Sequence, residues 1–203
     1  MHVHIGLDFD NTIVSYDDLI YRVAEEQGLL TGTVARNKVA VRDQLRSKGL
    51  EQTWIEMQGQ IYGPRMKEAV VYPGFIEFLA SARADGHALS IVSHKTRKPF
   101  AGPPYDLHAS ARDWITTHLV CNGAPIIEAS RIHFETTKPG KIARIAAIGC
   151  DVFIDDLPEI LLDQAMPVGI RKVLYDPEDN FSNTDRSLIR VMRWDDVRRA
   201  LDA

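Results

Sequence analysis

A doubly wound α/β fold around a mainly parallel sheet is the fold class this sequence predicts, and three observations lead to it. Short apolar segments of strand character alternate with amphipathic segments of helical period along most of the chain. Breakers such as Gly28 and Pro73-Gly74 separate them. Three of the strands end in polar residues, namely Asp8 with Asp10, Ser93, and Asp155 with Asp156. Open parallel sheets bind ligands at that edge, beyond the carboxyl ends of their strands.

The elements follow in order. In "HVHIGLDFDNT", Val3, Ile5, Leu7 and Phe9 alternate with His2, His4, Gly6, Asp8 and Asp10. The period of two puts Asp8 and Asp10 on one side of an extended segment. "SYDDLIYRVAEEQGLL" carries the helical stripe Leu19, Ile20, Val23 and Ala24. "TVARNKVAVRDQLRSKG" and "LEQTWIEMQGQIYG" read as two more helices, so residues 15–71 are expected to be helical throughout. This block interrupts the strand-helix rhythm and is expected to fold over the sheet as a small helical cap inserted after the first strand. Residues 1–14 and 72–203 form the Rossmann-like core. There, "FIEFLASARADG" is a helix and "ALSIVS" a buried strand ending at Ser93. The loop "KTRKPFAGPPYD" precedes the helix "LHASARDWITTHL", the short strand "RIHFE" and the helix "GKIARIAAIG". "CDVFIDD" is a strand ending in two acids. "KVLYD" and "LIRVMRW" are short apolar segments before a last helix, capped by Asp195 or Asp196.

Composition bounds the function. The 203 residues are 45% apolar and 26% charged, with a formal net charge of -4, ordinary values for a soluble globular protein. Such a balance supplies no electrostatic footprint for a nucleic-acid polymer or an anionic membrane surface. Cys121 and Cys150 have neither metal-ligand nor redox spacing, and both are expected to be reduced, buried and inert. That usage, and a first segment that enters a strand with no charged-then-apolar leader pattern, fits a cytoplasmic setting.

Carboxylates gathered at one edge repel each other and cost free energy to desolvate. A hard divalent cation, Mg2+ above all, offsets that cost and prefers such oxygens. Mg2+ held by carboxylates typically works on phosphate. A serine and a lysine (Lys141 or Lys138, at the start of the helix that leads into the last acidic strand) suit the non-bridging oxygens. One Asp is then available to attack phosphorus, and a second, two residues on, to protonate the leaving oxygen and later activate water. The residues point to phosphoryl transfer.

These residues carry a family resemblance. "DFDNT" resembles motif I, DxDx[TV], of the haloacid dehalogenase-like (HAD) hydrolase superfamily. Ser93 in "IVSHK" is similar to motif II, Lys141 in "TTKPGKIARI" to motif III, and "FIDDLPE" to the acidic motif IV. Order and spacing match over essentially the whole chain, and the insert lies where C1-type caps occur. The resemblance implies Asp8 as nucleophile forming an aspartyl phosphate and Asp10 as general acid/base. It implies Mg2+ held by Asp8, the backbone carbonyl of Asp10 and Asp155, with Asp156 assisting. Ser93 and Lys141 would bind the phosphoryl group, and Thr12 would fix the motif I loop. Lys138 precedes proline, as the motif III lysine does in many relatives, so it stays an alternative. The dehalogenase members lack the second Asp, so Asp10 argues for a phosphatase or phosphotransferase.

Other candidates have competing explanations. His94, Lys95, Arg97 and Lys98 form either a solvated basic loop or a substrate-anion site. On the insert, Gln58, Tyr62 and Arg65, with Trp54, are candidates for substrate contact, although core packing explains the aromatics equally well. His2 and His4 are read as surface or packing residues, Trp114 and Trp194 as core, and Glu159 as a helix-start carboxylate. The expected partner is a small phosphorylated metabolite, a sugar phosphate or nucleotide. The nucleotide option comes from a loose similarity of "ARDWITTHL" and "RIHFE" to nucleotidase-like relatives. The chain is expected to be a monomer or homodimer. A phosphotransferase or phosphomutase is the alternative within the same chemistry. A phospho-receiver domain uses the same residue types in another order, and a non-catalytic binding relative has no need of intact Asp8, Asp10 and Asp155.

Overall fold

The computed structural model describes residues 2–121 and 123–202. Among the described residues, ten strands run in chain order: β1 His4–Leu7, β2 Val14–Ser15, β3 Val70–Val71, β4 Ala88–His94, β5 Val120–Cys121, β6 Ala124–Pro125, β7 Ile132–Glu135, β8 Val152–Asp155, β9 Arg171–Tyr175 and β10 Ile189–Val191. The α-helices are α1 Asp17–Glu26, α2 Lys38–Ser47, α3 Glu51–Tyr62, α4 Phe75–Ala84, α5 Leu107–His118, α6 Lys138–Ile148, α7 Pro158–Leu161 and α8 Trp194–Asp202. The chain divides into two compact units. One comprises Met1–Val14, Val71–Lys95 and His118–Ala203, the other Ser15–Val70 and Thr96–Thr117.

The first unit is built on a six-stranded sheet in the order β10-β9-β8-β1-β4-β7, parallel at every pair. The expected Rossmann-like α/β architecture is thus the observed one. The chain winds from β1 outward through β4 to β7, then crosses back to β8 on the other side of β1. That reversal beside β1 is the topological switch point, where such sheets bind ligands. Continuous apolar runs make the interior strands, because a parallel sheet is covered on both faces. Ile5, Leu7, Ile91, Phe153, Ile154, Val173 and Leu174 are all fully buried or nearly so. Gly6 is obligatory in β1, since a Cβ there would lie 2.5 Å from the Phe153 ring and 2.6 Å from Cys150 Sγ. Trp194, at the start of α8, packs its ring 4.7 Å from Phe75 and 5.1 Å from Tyr175. Its indole N–H donates to Thr12 O at 3.2 Å, so the core also steadies the loop after β1. Asp195 and Asp196 stand in the first turn of α8 rather than capping it.

The second unit is helical, but less so than the pattern predicts. Gly28 and Gly32 take positive φ (66° and 67°), and the chain stays irregular to Asn37, whose side chain caps α2 by accepting from Ala40 N at 2.8 Å. The helix expected from Thr33 therefore begins at Lys38. The loop and helix of Thr96–Thr117 join this unit, whereas the sequence pattern placed them with the sheet. Glycines explain the grouping. A Cβ at Gly59, inside α3, would come 2.9 Å from Pro99, and one at Gly63 would come 3.0 Å from Tyr105. A mid-helix glycine costs about 1 kcal/mol against alanine, and here it admits the Pro-rich loop. Trp114 adds a hydrogen bond from its indole N–H to Ala69 O at 3.0 Å.

Cys150 is buried as expected, but Cys121 is exposed, on the short β5-β6 hairpin. His4 packs as expected, with Nε2 2.8 Å from Ser90 Oγ. Among the described residues, no helix is long and apolar enough to cross a membrane.

Candidate active site

Strand register brings the acids together. Leu7 of β1 is paired with Ile154 of β8, and the Asp8 N–H donates to Ile154 O at 2.9 Å. One step further along both strands stand Asp8 and Asp155, side by side and on the same face. Both are buried, Asp155 completely. On the other side of β1, Leu7 is paired with Ile91, and β4 carries the buried hydroxyl of Ser93 to the same carboxyl edge.

Lys141 supplies the compensating charge. Thr137 caps α6 by accepting from Gly140 N at 3.1 Å, and proline occupies the first turn. One turn in, the fully buried ammonium of Lys141 lies 2.6 Å from Asp8 Oδ1 and 2.5 Å from Asp155 Oδ2. Burial works against the Lys141 charge, but the two carboxylates outweigh it and hold the ammonium well above the ordinary lysine range. Burial pushes the Asp155 carboxyl up to about 6, with Lys141 opposing the rise and the Asp8 charge adding to it. Lys138 instead reaches Asp163 at 3.0 Å and is one-third exposed.

Three carboxylates, Asp8, Asp155 and Asp156, each offer an oxygen, and these oxygens lie within 4.8 Å of one another. An all-oxygen, anionic donor set fits a hard divalent cation and has no soft ligand to favour zinc or copper. Thr12 Oγ1 stands 3.4 Å from both Asp8 Oδ2 and Asp156 Oδ1. The turn that carries it depends on Asn11, whose φ of 59° is one that Asn tolerates better than most side chains.

Asp10 is held apart from this cluster. Lys95 Nζ lies 2.9 Å from each of its carboxylate oxygens. Of the other candidates, His94 Nε2 is 3.2 Å from Thr136 O, and Arg97 pairs with Asp106 at 3.2 Å on the exposed surface. Lys98 is exposed. Within the helical unit, Gln58 is half-buried, Tyr62 packs edge-on against Tyr16 at 4.8 Å, and Arg65 is ion-paired with Glu26 and Glu68.

No protein-family model matches the sequence, and no curated protein does. Solved structures do match, over nearly full length. A haloacid dehalogenase-like family hydrolase from Xanthomonas campestris is 16% identical, with 99% of this chain and 96% of that one covered, at a TM-score of 0.56. A predicted phosphoglycolate phosphatase from Haemophilus somnus is 16% identical, with 98% of each chain covered, at 0.59. The HAD hydrolase YfnB from Bacillus subtilis, bound to magnesium, is 12% identical, with 100% of each chain covered, at 0.59. The chain has the haloacid dehalogenase-like fold. In this HAD-like fold, Asp8, Thr12, Lys141, Asp155 and Asp156 meet at the switch point. The ion pair between Lys95 and Asp10 was not legible beforehand, because nothing local links residues 85 positions apart. The only hint was that a basic residue closely follows Ser93.

Proposed function

We propose that the chain is a Mg2+-dependent phosphatase that hydrolyses a small phosphomonoester through an aspartyl phosphate on Asp8. One observation carries this reading. Asp8 sits between a buried lysine and the acidic cluster, while a second carboxylate, Asp10, is held apart on its own lysine. Asp8, Asp155 and Asp156 against Lys141 leave two carboxylates in excess at the cluster, the charge that one divalent cation carries. Asp8, Asp155 and Asp156 would hold Mg2+, which supplies charge neutralisation at a phosphoryl group.

Asp8 attacks phosphorus with a carboxylate oxygen, the bond to the ester oxygen breaks, and Asp10 gives its proton to the departing alkoxide. Asp10, now a base, takes a proton from water as that water attacks phosphorus, and the bond to Asp8 breaks to release inorganic phosphate. Lys141 and Ser93 stabilise charge on the phosphoryl oxygens. The magnesium-bound B. subtilis hydrolase and the predicted phosphoglycolate phosphatase support the metal and the phosphomonoester class. A sugar phosphate or nucleotide is the substrate class we assign, and the setting we propose is cytoplasmic.

The test is a screen of phosphorylated metabolites with Mg2+ or with a chelator, run beside Asp8→Asn. Phosphate release should require both the metal and Asp8. Equal turnover by the variant removes the covalent route. Formation of a new phosphoester when an acceptor alcohol is added would turn the assignment to a phosphotransferase.

A further inference from the structure

We propose that Lys95 is a positioning residue for Asp10: it grips the carboxylate by both oxygens, aims it at the leaving group, and withholds it from the cation-binding cluster. The inference rests on the phosphatase reading above. The Lys95 side chain is 3% exposed and that of Asp10 24%. Burying a lysine to that degree costs desolvation that only a close partner offsets. That partner is the one motif-I carboxylate outside the Asp8, Asp155 and Asp156 group.

The grip is built into the sheet. His94 of β4 is paired with Glu135 of β7, and the Lys95 N–H continues the ladder by donating to Glu135 O at 2.8 Å. The ammonium also lies 5.6 Å from the ring centre of Phe9, the residue just before Asp10. Strand ladder and aromatic ring thus set the direction of the lysine, and the lysine sets that of the carboxylate. Two lysines divide three acids: Lys141 takes Asp8 and Asp155, and Lys95 takes Asp10. A carboxylate without the tether has the rotamer freedom to swing toward a divalent ion. Tied to Lys95, it is kept for proton transfer.

Steady-state hydrolysis by the Mg2+-loaded full chain tests this, with p-nitrophenyl phosphate and phenyl phosphate as probes. Lys95→Met should lower kcat about 10- to 100-fold with KM little changed. The loss should be larger on phenyl phosphate, whose leaving group needs the proton more, and Lys95→Arg should recover part of it. In an Asp10→Asn background, Lys95→Met should cost nothing further. A raised KM at unchanged kcat, or losses that multiply in the double variant, overturns the role. Full activity in both Asp8→Asn and Asp10→Asn instead overturns the phosphatase reading. Should Lys95→Met not fold, Lys95→Arg carries the same cycle, a loss confined to the Asp10 background supporting the role and equal losses overturning it. A crystal structure of Lys95→Met or Lys95→Arg with Mg2+ decides independently of turnover. Asp10 turned toward the acidic cluster in the Met variant, or still gripped in the Arg variant, supports the proposal. An unmoved carboxylate without the lysine, or a released one with arginine, ends it.

Discussion

Lys141 and Asp155, 14 residues apart on α6 and β8, meet at 2.5 Å in the interior of the first unit. Their pairing makes a buried acidic cluster tolerable before any cation arrives. It also brings Lys141 to these acids, whereas Lys138 pairs with Asp163.

Removing that charge should be costly. Lys141→Met leaves Asp8 and Asp155 buried without their cation, a loss of about 3–5 kcal/mol in urea unfolding of the metal-free chain. Added Mg2+ should restore part of it, since a ligand that binds only the folded state stabilises it. Lys138→Ala breaks a partly exposed pair with Asp163 and should cost less than about 1 kcal/mol. Comparable losses in the two variants would contradict the geometry.

His4 gives the chain a pH response of defined sign. Burial holds its imidazole below the ordinary range, with a hydrogen bond to the Ile148 backbone and the Asp151 charge working against it and the Arg131 charge adding to it. The folded state therefore refuses a proton that the unfolded chain accepts. The contribution is fully present above an unfolded value of about 6.5 and is lost as pH falls through the folded one. Thermal melts between about pH 8 and pH 5 should show a larger drop for the wild type than for His4→Gln. Gln keeps a partner for Ser90 but does not titrate. Parallel curves would show that His4 is not a source of the response.

The two thiols should separate cleanly. Burial, helped by the Asp151 charge, pushes the Cys150 thiol up to about 12, whereas Cys121 is exposed. Iodoacetamide on the folded chain at mildly alkaline pH should modify Cys121 and spare Cys150, and denaturation should expose both. Peptide mass spectrometry reads the ratio, and early modification of Cys150 would contradict its burial.

Much of this molecule was written locally. Alternating and continuous apolar runs, with breakers between them, determined the parallel α/β sheet. A strand that ends in Asp8 and another that ends in Asp155 announced an acidic cluster, because strand ends in such a sheet share one edge. Periodicity missed what lies between elements. It read residues 29–37 as helix although Gly28 and Gly32 break it, and it left Thr96–Thr117 with the sheet although Gly59 and Gly63 seat that loop on α3. It also took Cys121 for a core thiol. Which lysine serves which acid was decided only by tertiary structure. A pattern along the chain encodes which face of an element is apolar, whereas an ion pair depends on where two distant backbones place their side chains. That placement settled Lys141 on Asp8 and Asp155, and Lys95 on Asp10.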